Sequence, residues 1–133
     1  MEKLEQVYSF EDYLDSCGTH CEDGFSFSDC FEMLYRQKNQ KKMDIIRRSQ
    51  IERGYAHQLI RGAKKPSRDK VILFAIGMML TIPETQLLLR HSGFSPLSPR
   101  QMRDAVILFG VAHLLEVDAL RAILLENGFE ILQ

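Results

Sequence analysis

Tryptophan is absent from this chain, and proline occurs four times and cysteine three times in 133 residues. An odd, sparse set of cysteines excludes a disulfide scaffold. A chain of this length does not need one, since a core alone becomes insufficient only below about 70–80 residues. Long apolar runs are missing too. The longest apolar run, Val71–Thr81, contains no charge and has eleven residues, against the roughly 20 that a membrane-spanning helix requires. It predicts a buried core helix and no membrane partner. The opening residues Met1-Glu2-Lys3-Leu4-Glu5-Gln6 have neither the basic nor the apolar region of a secretory signal. Together with unpaired cysteines, this makes a reducing, cytoplasmic setting the expectation. There is no glycine-rich phosphate loop, and no spacing that argues for a Ser–His–acid or paired-carboxylate arrangement. The chain is therefore expected not to be an enzyme and to need no cofactor.

Sustained period-2 alternation is also lacking, while Leu, Met, Arg, Lys, Glu and Gln, all good helix formers, dominate. The expectation is an all-α fold. Apolar residues at 45% and charged residues at 26% are ordinary for a globular chain, which excludes general disorder. The start and stop signals divide the chain into an acidic arm with a short helix over 1–25, a helical body over 26–93 and a helical pair over 94–133. Phe10, Tyr13 and Leu14 give 8–15 an apolar side, and 16–24 reads as a loop. Ser26 with Asp29 resembles a capping box, with Phe25 stapled onto Cys30. Further helices are expected over 41–48, over 52–61 with Gly62 beyond its end, and from a Ser67 cap to about Leu80. Thr81-Ile82-Pro83-Glu84 opens another, closed at Gly93. Ser98-Pro99-Arg100-Gln101 repeats that start signal, for a helix whose apolar set is Met102, Ala105, Val106, Leu108, Phe109, Ala112 and Leu115. Asp118 is expected to cap the last helix, which stops at Asn127-Gly128, with Phe129, Ile131 and Leu132 folding back onto the core.

The overall charge of −1 conceals a strong asymmetry. Residues 1–35 carry one Lys and nine acids, residues 36–70 twelve Lys/Arg and three acids, and residues 71–133 four Arg and six acids, so the blocks stand at −8, +9 and −2. A local field of that size points to a partner.

Within the basic block, residues 41–62 hold two short helices joined by three residues, the second ending in Gly, which matches a helix-turn-helix template. On a helical wheel Tyr55, Ala56, Leu59 and Ile60 share one side. Arg53, Gly54, His57, Gln58 and Arg61 share the other. In the first helix Ile45 and Ile46 face the core, while Lys41, Lys42 and Arg48 can face outward. Lys64-Lys65-Pro66-Ser67-Arg68 then leads into a helix N-terminus, whose free N–H groups and dipole suit a phosphate. Lys/Arg neutralisation of phosphates supplies most DNA affinity, and a helix displaying Arg, Gln or His outward is what major-groove readout requires.

These residues resemble a phage-repressor-like (XRE-type) DNA-binding domain over roughly 26–93. The resemblance is carried by Ile45-Ile46 in helix two, Ile51 in the turn, Ala56 and Leu59 in the recognition helix, Arg61-Gly62 at its end, Lys65-Pro66-Ser67 before helix four, and Leu80 and Ile82 before helix five. It implies a five-helix bundle whose second and third helices form the helix-turn-helix. Residues 99–132 resemble C-terminal extensions of bacterial, Firmicutes-like members. The chain departs from the pattern at Gln50, where Gly is usual, at Glu52, where Ser or Thr is usual, at Gly54 inside the helix, and at Lys41-Lys42. These departures bear on base specificity and on DNA binding, and leave the fold expectation intact.

The resulting expectation is a sequence-specific transcriptional regulator that binds double-stranded DNA with helix 52–61 in the major groove. Arg53, His57 and Gln58 contact bases with Tyr55 nearby, and Lys42, Arg61, Lys64, Lys65 and Arg68 hold phosphates. Tyr55 is open to core packing or to phosphate contact. A homodimer is expected because one such helix covers only a few base pairs, with the helices after residue 98 as the dimer or protein-partner surface. The alternative is an adaptor module that keeps the fold without operator binding. Cys17-x-x-His20-Cys21, with Asp23 or Cys30, invites a zinc reading, but the spacing fits no standard pattern and free thiols are the expectation. His113 is expected in the core or an interface.

Overall fold

The computed structural model describes residues 25–133, as seven helices without a strand among them. These are α1 (Phe27–Lys38), α2 (Lys42–Ser49), α3 (Arg53–Ile60), α4 (Arg68–Gly77), α5 (Ile82–His91), α6 (Met102–Ala112) and α7 (Val117–Glu126). The short helix expected over 8–15, the loop after it and the Cys17–His20–Cys21 cluster lie outside the described residues.

α4 is the axis of the molecule. Every residue from Val71 to Gly77 is buried, as the uncharged run predicts. α2, α5 and α7 pack on it, α1 lies across α3 and α5, and α6 pairs with α7 and α5. Phe27, Phe31 and Phe74 meet at centroid separations of 5.4–5.9 Å. Ile107, Val111, Leu120, Leu124 and Leu132 from the C-terminal part join the same apolar cluster. Gly77 permits a close approach of α4 to α2: a Cβ there would fall 2.6 Å from the Ile45 carbonyl oxygen of α2.

Local signals set most helix ends. The Ser26 N–H donates to Asp29 at 3.0 Å. Thr81 and Glu84 bond reciprocally at 2.9 and 3.3 Å, and Ser67 accepts from the Lys70 N–H at 3.2 Å. Gly62, Gly93 and Gly128 close their helices at positive φ. Among the described residues no helix is long and apolar enough to cross a membrane.

Phe25 meets the His91 ring of α5 edge-on at 4.9 Å and packs on the apolar cluster that includes Cys30. The starts of the last two helices and the facing of the first of them need correction. α6 starts at Met102, because the Ser98 N–H donates to Asp104 at 3.0 Å and holds 98–101 as a turn. α7 starts at Val117 with Glu116 as its cap residue, which leaves Asp118 in the first turn. The side of α6 facing the core is Asp104, Ile107, Gly110 and Val111. Met102 and Phe109 of the expected apolar set point outward, 69% and 45% exposed. His113 is likewise exposed, stacked on Phe109 at 4.1 Å.

Candidate nucleic-acid interface

α2 and α3 are joined by Gln50, Ile51 and Glu52. Gln50 ends α2 in the left-handed region, φ 60 and ψ 21, with its N–H shared between the Ile46 and Arg47 carbonyls. Such a conformation costs a non-glycine residue about 1–2 kcal/mol. Ile51 is buried in the turn. Glu52 caps α3 as Ser or Thr would, its carboxylate accepting from the Tyr55 N–H at 2.9 Å. Gly54 makes room for that cap: a Cβ there would sit 3.0 Å from Glu52 Oε1. Two of the departures from the usual pattern thus work as a pair.

The wheel expected for α3 holds. Ala56, Leu59 and Ile60 are buried, Arg53 and Arg61 exposed, and His57 and Gln58 half-buried on the outward side. Ser28 of α1 donates its hydroxyl to the Ile60 carbonyl, fastening the helix end. Beyond it Gly62 turns left-handed at φ +82. The Gln58 carbonyl accepts from Ala63 N–H at 2.9 Å and Lys64 N–H at 3.3 Å. This turn brings the basic connection back against α3. The half-buried Tyr55 ring ends between two cations, with Lys64 Nζ 5.7 Å and Lys70 Nζ 5.8 Å from its centroid. Tyr55 therefore links α3 to the loop and to the start of α4. Lys70 is the member that the sequence reading missed. It lies past the basic loop, inside α4, and only the fold places it here.

The structure separates the basic block into committed and uncommitted charges. Lys38 pairs with Glu84 at 2.9 Å, Lys42 with Glu32 at 2.7 Å and Arg47 with Asp44 at 3.3 Å. Lys42 also lies over Tyr35, 5.3 Å from the ring centroid. Arg48, expected to face outward, donates Nε to the Gly77 carbonyl at 2.7 Å and so closes the end of α4. Arg68 is turned away from α3: it grips Asp104 at 3.0 and 3.1 Å and donates to the Ser95 and Pro96 carbonyls. Arg53, Arg61, Lys64, Lys65 and Lys70 make no ion pair among the described residues. These five lie on α3, on the connection behind it or in the first turn of α4; Lys41, exposed at the N-cap of α2, also makes no ion pair among the described residues.

Cys30 is buried in the core, and burial pushes its thiol up to about 12, so it stays protonated. The described residues contain no group of three His, Cys, Asp or Glu that could hold a metal. No family model, curated protein or solved structure matches the chain.

Proposed function

We propose that the protein is a sequence-specific DNA-binding transcriptional regulator of the XRE type. In this reading α1–α5 form the repressor-like bundle, α2 and α3 its helix-turn-helix, and α3 lies in the major groove. The observation that carries the reading is the position of the uncommitted cations. Of the cations of the +9 block that make no ion pair among the described residues, Arg53, Arg61, Lys64, Lys65 and Lys70 gather around α3, and Lys41 stands apart at the start of α2; such a gathering is what a phosphate footprint requires. Arg53, His57 and Gln58 face base edges, with Tyr55 beside them. Arg61, Lys64, Lys65 and Lys70 face phosphates. Lys42 reaches a phosphate only by leaving Glu32. Arg68, clamped to Asp104, serves the fold instead.

A second copy doubles the readout, since two recognition helices one DNA turn apart recover specificity. The surface assigned to that contact is the outward side of α6–α7, where Met102, Phe109, Leu114 and Leu125 are exposed. The same apolar surface favours a second reading, an adaptor that binds protein and not DNA. Titrating binding to a random duplex against salt separates the two. A regulator binds at low salt and loses affinity steeply, by orders of magnitude over a modest range. An adaptor binds little at any salt.

A further inference from the structure

The segment carrying nearly all the candidate DNA contacts, residues 51–67, is fastened at both ends to the C-terminal part of the chain. At its front, Gln50 occupies a left-handed position that glycine would take with less strain. Its side chain does what glycine cannot: Oε1 accepts from Arg121 Nη1 of α7 at 3.0 Å, across 71 residues of sequence. Arg121 is itself fixed, because its Nε donates to the carbonyl of the fully buried Leu132 at 2.8 Å. At the back of the segment, Arg68 holds Asp104 of α6, and Asp69 accepts from Arg103 of α6 at 3.1 Å and from the Gln133 N–H at 3.2 Å. Arg103 also donates to the carbonyls of Glu130 and Ile131, at 2.9 and 3.3 Å. The two ends of the reading segment are thus tied to one body, formed by α6, α7 and the final residues.

We propose that Arg121, acting through Gln50, is a positioning residue for α3, and that the C-terminal helical pair is the mount that sets the angle at which α3 meets DNA. The inference rests on the DNA-binding reading of α3. A mount of this kind serves base readout, which needs fixed geometry, far more than phosphate attraction, which does not. It also accounts for a strained glutamine at the turn: the residue gives up backbone ease for a side-chain tether.

The test uses the full chain. Duplexes are first selected from a random pool with the wild-type protein. Gln50→Gly, Arg121→Ala and the double variant are then measured on the selected duplex, on a scrambled duplex, and by thermal melting. Gln50→Gly relieves the left-handed strain, so its melting temperature stays level or rises, yet it binds the selected duplex about three- to tenfold more weakly. Its affinity for scrambled duplex stays within about twofold of wild type, as phosphate attraction is untouched. Arg121→Ala shows the same split between the duplexes with a lower melting temperature, since its bond to the Leu132 carbonyl is lost as well, and the double variant binds no more weakly than Arg121→Ala, because the pair acts as one unit. A purely structural tether predicts the opposite: stability and affinity fall together, on both duplexes alike. Wild-type affinity of Gln50→Gly for the selected duplex, or additive losses in the double variant, overturns this inference and leaves the DNA-binding reading standing. If wild-type protein enriches no duplex, both fall.

Discussion

Replacing Asp104 by asparagine isolates the clamp that joins the two parts of the chain. Asp104 is 3% exposed and accepts three hydrogen bonds, two from Arg68 at 3.0 and 3.1 Å and one from the Ser98 N–H at 3.0 Å. Burial alone raises the pKa of such a carboxyl. Here the hydrogen bonds from Arg68 and Ser98 and the charges of Arg68 and Arg103 outweigh burial, and hold it below the ordinary 3.8. Asparagine keeps the shape, but it turns an NH2 group toward the donors that share Oδ2 and leaves Arg68 without its counter-charge. Hydrogen bonds to charged groups contribute about 1.5–3 kcal/mol each. The Arg68 side chain is 27% exposed, so water makes good part of the loss. A net cost of about 2–3 kcal/mol follows, which for a chain of this size lowers the melting temperature by roughly 6–15 °C. A carboxyl whose folded pKa is depressed contributes stability above its unfolded pKa, and that stability is lost as pH falls through the folded value. Wild type and Asp104→Asn should therefore melt far apart near neutral pH and converge in acid, as followed by circular dichroism between about pH 7 and about pH 2. Coincident melts near neutrality, or a gap that does not narrow in acid, would refute the reasoning.

Three further outcomes are expected. Gly77→Ala drives a Cβ to 2.6 Å from the Ile45 carbonyl; the strain of separating α2 from α4, about 1–3 kcal/mol, exceeds the gain of about 1 kcal/mol in helix propensity, so a melting temperature at or above wild type would contradict the close approach. Lys64→Ala combined with Lys65→Ala should weaken selected and random duplex alike and flatten the salt slope by about 2; a loss confined to one duplex would make these lysines base readers. Deleting the net-acidic residues 1–24 should raise non-specific DNA affinity at low salt and less so at high salt, and unchanged binding would assign that segment another task.

The parts of the fold that were legible in the sequence are those governed by near neighbours. The buried α4 announces itself as an uncharged run, the Ser26 and Thr81 caps as boxes three residues wide, and the outward side of α3 as a simple period. What escaped depends on partners far along the chain. Ser98-Pro99 looks like a helix start, but a carboxylate six residues on, itself held by an arginine 36 residues upstream, keeps that stretch as a turn. Arg68 reads as one more cation in a basic loop, and nothing local reveals its partner. α6 is apolar on two sides, so periodicity alone could not tell which side meets the core. Lys70 joins Tyr55 only because Gly62 folds the connection back. Gln50 looked like a departure from a pattern, and the bond that explains it comes from residue 121.

The central claim is that α3 reads DNA sequence, and the most direct test is selection of sites from a random duplex pool followed by Arg53→Ala. Arg53 lies on the exposed side of α3, one turn from His57, and makes no ion pair among the described residues. The account predicts that one motif is enriched and that Arg53→Ala costs about 1–3 kcal/mol on that motif, with a smaller loss on scrambled duplex, the mark of a lost base contact. Failure to enrich any motif, or equal losses on both duplexes, would contradict it.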